Sequence, residues 1–300
     1  MQLGLRIDVD TRLGLQEGVP RLLELFRRYS VWASFFVTFG PDHSGRAIRR
    51  IFRPSFIAKM WRTNPFRLYG FKTLLAGTLL PSLPVGEGEP ALLKDIVAEG
   101  HELGIHGYDH VRWQDQLDGM EEAEIETELT KALDACERIV GSRPVGSAAP
   151  GWRCTPLSLA VQDKFTFLYA SDVRGSSAFL PAHNGLSFTT LQLPTTLPTV
   201  DELLGRESDI NGCLLSHLKN GLNLHTIHAE VEGRSYITLF EKFMEEVIQR
   251  KISIVRLREL AEMILSGDSA KPLRISVVRD TVPGRSGWVA CQGSPVQSGS

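Results

Sequence analysis

Cysteine is scarce in this chain, and none of it has the spacing used by metals or redox centres. The four cysteines, Cys136, Cys154, Cys213 and Cys291, lie far apart and include no Cys-x-x-Cys pair. This excludes a zinc ribbon and a dense disulfide framework, and it fits a reducing compartment. A basic excess is also missing. The formal net charge is -2, so the chain as a whole is not a general nucleic-acid binder and no nucleic-acid partner is expected. No window reaches the roughly 18 uncharged apolar residues of a membrane span, and the stretch before Asp8 lacks the apolar core of a signal peptide. A cytoplasmic protein, or one on a cytoplasmic membrane face, is therefore expected.

The last absence is local. Between Asp42 and Glu87 there is no acidic residue. The segment carries Arg46, Arg49, Arg50, Arg53, Lys59, Arg62, Arg67 and Lys72, interleaved with Phe52, Phe56, Trp61, Phe66, Tyr69 and Phe71. Aromatics beside cations, interrupted by Pro54 and Pro65, predict short interfacial helices that dock on an anionic membrane surface through Arg46–Lys72. A solvated basic insertion packed on the main domain is the alternative, and RNA binding lacks any recognisable module.

What remains is an ordinary globular composition, 42% hydrophobic and 23% charged over 300 residues, enough for one large α/β domain or two smaller ones. Strand-like runs alternate with amphipathic helical runs, the pattern of parallel strands joined by helices. Strands are expected at Gly4–Val9, Val31–Phe39, His101–His106, Arg143–Ala149, Phe165–Ala170, Ser187–Pro194, Leu224–His228 and Ile252–Val255. Helices are expected at Glu17–Tyr29, Pro90–Ala98 and Met120–Val140. Seven or eight such units suggest a β/α barrel more than an open sheet. The barrel is assigned to residues 1–265, including a basic insertion at 43–89, and residues 266–300 read as a polar, surface-lying or loose tail.

Three patterns carry chemistry. The first strand ends in Arg6-Ile7-Asp8-Val9-Asp10, and residues two apart on a strand face one side, so both carboxylates can address one site. Two close carboxylates repel unless a cation or proton lies between them. Next, His106 and His110 are four apart, so a single helical turn would bring both imidazoles to one point. Two neutral imidazoles and a carboxylate leave open positions for water, as catalytic metal sites require. Third, His228 ends a late strand, and its ordinary pKa near 6.5 suits it to protonate a leaving group. His101, at the start of its strand, reads as a structural histidine.

The order of these patterns resembles the NodB-homology polysaccharide deacetylases. The resemblance implies an α/β fold, a distorted (β/α) barrel of about seven strands carrying the basic, aromatic-rich insertion. It also implies a divalent metal ion held by Asp10, His106 and His110, with Asp8 as catalytic base and His228 as catalytic acid. Asp172 matches the position that orients the acid. Two imidazoles and a carboxylate suit zinc, cobalt, manganese or iron(II) alike.

GLRIDVDT from Gly4, EGVPRLLELF from Glu17, SAAPGWR from Ser147, SDVRG from Ser171, TIHAEVEG from Thr226 and GRSGW from Gly284 are similar to a narrower branch. Its members are deformylases of a 4-formamido-arabinose carried on undecaprenyl phosphate. That branch implies release of formate and of the 4-amino sugar used in lipid A modification and polymyxin resistance, on the cytoplasmic face of the bacterial inner membrane. N-deacetylation of another glycan or lipid-linked amino sugar is the alternative. Trp152, Gly151, Arg153, Arg174 and Glu230 are its candidate substrate-binding residues, with a backbone N–H near Gly151 facing the oxyanion. The chain departs from the broader family at Ala148-Ala149-Pro150, where an arginine that braces the catalytic Asp is usual. Arg6, Arg153 and Arg174 are candidates to replace it.

Overall fold

A computed structural model of the chain describes residues 1–45, 81–267 and 271–296. The segment Arg46–Lys72, expected to dock on a membrane, lies outside the described residues.

The centre of the molecule is β1 (Gln2–Val9), buried from Leu3 onward. A strand so thoroughly covered on both faces is typical of a parallel sheet flanked by helices. β2 (Ser34–Val37) runs parallel to β1 with Arg6 opposite Ser34 and Val9 opposite Val37. Beyond it follow β3 (Glu102–Ile105), β4 (Gly146–Ser147) and β5 (Tyr169–Ala170), each parallel to the last. After β6 (Phe179–His183) and the short β7 (Leu186–Ser187), β8 (Leu191–Gln192) pairs in parallel with β5. On the other side of β1 lies β9 (Leu224–His228), also parallel, with Gly4 opposite Leu224 and Asp8 opposite His228. β10 (Ser253–Val255) pairs with the first residues of β1.

Seven of the described strands thus run parallel in the order β9-β1-β2-β3-β4-β5-β8. The segment leaving β8 then meets β9: the Thr196 and Leu197 N–H groups both donate to the Leu224 carbonyl at 3.0 and 3.2 Å. The Thr195 and Thr226 hydroxyls meet at 2.8 Å. The last parallel strand is brought beside the first by these bonds and not by a full ladder, which accounts for the distorted shape.

Several strands are shorter than the hydrophobic runs suggest. The run at Val31–Phe39 pairs only over Ser34–Val37, and that at Arg143–Ala149 only over Gly146–Ser147, where Pro144 has no N–H for a ladder. The flanking helices are α1 (Val19–Tyr29), α2 (Pro90–Ala98), α3 (His110–Gln116), α4 (Glu122–Val140), α5 (Pro156–Gln162), α6 (Val200–Leu203), α7 (Ile210–Ser216), α8 (Ile237–Gln249) and α9 (Leu257–Leu265). A π-turn at Gly14–Gly18 precedes α1, and a second at Val231–Ser235 precedes α8. They follow the two strands that carry Asp8 and His228. At Gly18 a Cβ would stand 2.0 Å from the Ala229 carbonyl oxygen, so only glycine permits this approach.

The described residues after Ser266 form a packed hairpin and not a loose tail. β11 (Leu273–Asp280) runs parallel beside β6, and β12 (Val289–Pro295) folds back antiparallel on β11. Ile275 and Ala290 pack with Phe179 and Val173. Most side chains of β11 remain exposed or half-buried, which is why the composition reads as a polar tail.

Candidate active site

The ends of β1, β3 and β9 converge, as the strand ends of barrel enzymes do. Asp10 follows β1, His106 follows β3, and His110 opens α3. His106 Nε2 lies 3.2 Å from Asp10 Oδ1, and His110 Nε2 lies 3.3 Å from Asp10 Oδ2. One ligand atom from each of the three lies within 4.8 Å of the others. Asp10 Oδ1 is buried with no hydrogen-bond partner. The Nδ1 of His106 is 2.8 Å from the Ala148 carbonyl; donation there leaves Nε2 with a lone pair facing Asp10. The lone pair of His106, the His110 ring nitrogen and an unsatisfied carboxylate oxygen, gathered within 4.8 Å, suit a divalent cation.

Burial alone would raise the Asp10 pKa, but the neighbouring His110 and His106 rings outweigh it and hold the carboxyl well below its usual range. Burial alone would lower that of His106, but Asp8 and Asp10 outweigh it and raise it. This electrostatic demand for positive charge is the one a cation would meet.

The two histidines do not share a helical turn. His106 belongs to the end of β3, and Gly107 takes a left-handed φ of 70° before Asp109 caps α3. The Asp109 carboxylate accepts from the Arg112 N–H at 3.0 Å and lies 2.7 Å from His43 Nδ1. Its own N–H donates to Glu128 at 3.0 Å. A strand end and a helix N-cap, not i to i+4 geometry, bring the rings to a centroid separation of 5.3 Å. Asp109, a favoured N-cap residue just before His110, was a sequence signal for this.

Asp8 stands beside the cluster, its Oδ2 3.7 Å from His106 Nε2. Arg6 grips it in a fork: Nε donates to Oδ1 and Nη2 to Oδ2, both at 2.7 Å. Arg6 is fully buried and also donates to the Ser171 carbonyl and, at 3.2 Å, to its hydroxyl. Of the three arginines considered for the brace, Arg6 contacts Asp8. Arg174 instead pairs with Glu202 at 2.6 Å, and the Arg153 guanidinium stacks 3.9 Å from the Trp288 ring centre.

His228 lies opposite Asp8 in the parallel register, and its ring meets Trp152 edge to face at 6.4 Å. Its backbone N–H donates to Glu232 at 2.8 Å. Asp172, expected to orient His228, directs its oxygens elsewhere. Oδ1 accepts from the Ala149 N–H at 2.8 Å, and Oδ2 accepts from Gln162 and Gln192 at 2.9 and 3.0 Å. Burial raises its pKa. These bonds make Asp172 a brace for the Ala148–Trp152 loop.

That loop is tightly wound. Gly151 and Trp152 have φ of 62° and 52°, and a left-handed conformation at a bulky residue costs about 1–3 kcal/mol. Trp152 is buried, with Nε1 donating to Thr195 at 3.0 Å. Glu230, an expected substrate contact, is buried against Gly14, and neither of its oxygens has a partner. Burial, reinforced by Asp10, pushes its pKa well above the usual range. His101 is structural: its Nδ1 accepts from the Ala33 N–H at 3.1 Å.

Residues 7–170 match the polysaccharide deacetylase family model. The chain is 40% identical over 300 residues to a Shewanella sediminis (strain HAW-EB3) protein named "Probable 4-deoxy-4-formamido-L-arabinose-phosphoundecaprenol deformylase ArnD", covering 98% of this chain and 96% of that one. A protein of the same name from Wigglesworthia glossinidia brevipalpis is 33% identical over 286 residues, 93% of this chain and 98% of its own. Among solved structures, Puue allantoinase superposes with a TM-score of 0.62 at 16% identity, covering 90% of this chain and 92% of that one. The fold is shared and the sequence has diverged. The site at the ends of β1, β3 and β9, the family match and these relatives agree: the chain belongs to the polysaccharide deacetylase family.

Proposed function

We propose that this protein hydrolyses the N-formyl group of undecaprenyl-phosphate-linked 4-deoxy-4-formamido-L-arabinose in a metal-dependent reaction, releasing formate and the 4-amino sugar. The observation that carries this reading is the convergence of Asp10, His106 and His110 within 4.8 Å, beside Asp8 and its register partner His228. The relative 40% identical over nearly the whole chain, with its deformylase name, supplies the substrate.

Asp10, His106 and His110 would hold the divalent cation, which supplies a polarised formyl oxygen and an acidified water when bound. Asp8 Oδ2, on the His106 side of the carboxylate, takes the water proton. Arg6 fixes the plane of that carboxylate by its two-point grip. The hydroxide oxygen bonds to the formyl carbon, and the carbon–nitrogen bond then breaks. His228 gives its proton to the departing nitrogen, without which an amine is a very poor leaving group. The acid-free run around Arg46–Lys72 supports a peripheral position on an anionic bilayer, where the lipid carrier resides. No helix among the described residues is long and apolar enough to cross a membrane.

The test is formate release from the lipid-linked formamido sugar by the wild type, Asp8→Asn and His228→Ala. Loss of at least about 10²-fold in each variant is expected. Undiminished release in both overturns the acid–base assignment, and wild-type activity on the N-acetyl analogue alone favours a deacetylase.

A further inference from the structure

Among the described residues β9 has a strand partner on one edge only, β1. The Ala229 N–H donates across that edge to the Asp8 carbonyl at 2.9 Å. Successive N–H groups of a strand point to opposite edges, so that of His228 faces the seam, where no strand supplies a carbonyl. Side chains stand in for one. At the start of β9 the Leu224 N–H donates to the Thr196 hydroxyl at 2.9 Å. At its end the His228 N–H donates to Glu232 Oε2 at 2.8 Å. Glu232 is fully buried in the π-turn after β9. Its neighbour Gly233 packs so closely that a Cβ there would stand 2.8 Å from the Gly18 Cα. Glu232 Oε1 is buried without a hydrogen-bond partner. Burial pushes the pKa of this carboxyl up to about 8, against the pull of the His228 N–H. Near neutrality the group is mostly the neutral acid, which keeps a carbonyl oxygen to accept that N–H.

We infer that Glu232 is the positioning residue for His228: by accepting the His228 N–H where a strand is missing, it fixes the end of β9 and with it the aim of the imidazole. The inference rests on the proposed function for the role of His228 as the acid. Asp172, the expected orienter, is engaged with Ala149, Gln162 and Gln192. The ring instead meets Trp152 edge to face. The Trp152 indole donates to Thr195 at 3.0 Å, and the Thr195 hydroxyl meets that of Thr226, two residues before His228, at 2.8 Å. Glu232 holds the strand end on which this contact depends. A general acid works only with its proton within hydrogen-bond reach of the leaving atom, so a small shift of the backbone at His228 is costly to the chemistry and not to substrate binding.

The experiment compares wild type with Glu232→Met and Glu232→Ala, which lack the acceptor, and with Glu232→Gln, which keeps it. Each is checked for folding by circular dichroism. Formate release gives kcat and KM separately, and NMR of the histidine-labelled protein gives the His228 ring-proton resonance, assigned by its loss in His228→Ala. In whichever acceptor-free variant folds, kcat is expected to fall at least about tenfold with KM little changed, and the resonance to leave its wild-type position. Glu232→Gln is expected to fold, to keep most of kcat and to keep the resonance in place. An unmoved resonance in the acceptor-free variants overturns the proposal, whatever their stability or activity. So does a Glu232→Gln variant that fails to fold or loses as much as the others. The resonance needs no turnover. If it moves in Glu232→Met and returns in Glu232→Gln while the wild type releases no formate, the positioning role stands and the deformylase reading fails.

Discussion

Arg6 and Asp8 form a buried ion pair in which each partner satisfies the other, and its value is visible only when one is removed. Breaking a buried pair from one side typically costs about 3–5 kcal/mol, because the remaining charge is stranded. Arg6→Ala and Asp8→Asn should each destabilise the fold by that order in urea unfolding. The double variant should lose less than the sum of the two, giving a coupling of about 1–3 kcal/mol. Additive losses would show that the fork in the structure is not energetically real. Arg6 also explains why the position occupied by Ala148-Ala149 needs no arginine: the guanidinium arrives from two residues before Asp8, on the same face of β1.

At the scale of elements, the seam between β2 and β3 is locked by His101, whose ring packs against Phe26 and Phe35. Burial pushes its pKa down from 6.5 to about 4. Between these values the unfolded chain binds a proton that the folded chain does not, so His101 weakens the fold as pH falls from 6.5 to about 4. The slope it contributes is at most about 1.4 kcal/mol per pH unit. His101→Gln, which retains an acceptor for the Ala33 N–H but does not titrate, should flatten the dependence of stability on pH in that window. An identical profile in the variant would contradict the burial of a neutral imidazole.

The same elements show what the sequence could and could not tell. β1 and α4 were legible because their apolar patterns run over 8 and 19 residues. Asp8, Asp10, His106, His110 and His228 stood out because their residue types carry chemistry at strand ends. β4 and β5 pair over two residues each, too few for a period to register. The geometry joining His106 to His110 depends on Gly107 in a left-handed turn, which spacing alone does not distinguish from a helix. The engagement of Asp172 with Gln162 and Gln192 is a tertiary fact with no local signature. The hairpin after Ser266 was hidden because one face of β11 is solvated and its contacts lie with a strand nearly a hundred residues earlier.

At the scale of the whole molecule, the proposed function has the reaction centre and the basic segment serve one amphiphilic substrate. The proposed membrane contact predicts that the wild type sediments with phosphatidylglycerol vesicles. A variant with Arg49, Arg50, Arg53 and Arg62 replaced by alanine should bind at least tenfold more weakly, since each basic side chain near an anionic surface is worth about 1 kcal/mol. Equal sedimentation would remove the surface-docking proposal while leaving the chemistry of the site intact.

The proposed chemistry depends on Asp10, His106 and His110 sharing one cation. The most direct measurement is the metal content of the purified protein by elemental mass spectrometry, for the wild type and for folded Asp10→Asn and His110→Ala. One divalent cation per chain in the wild type is expected, with most of it lost from each variant. Equal metal content in all three, or none in a wild type that still releases formate, would contradict the account.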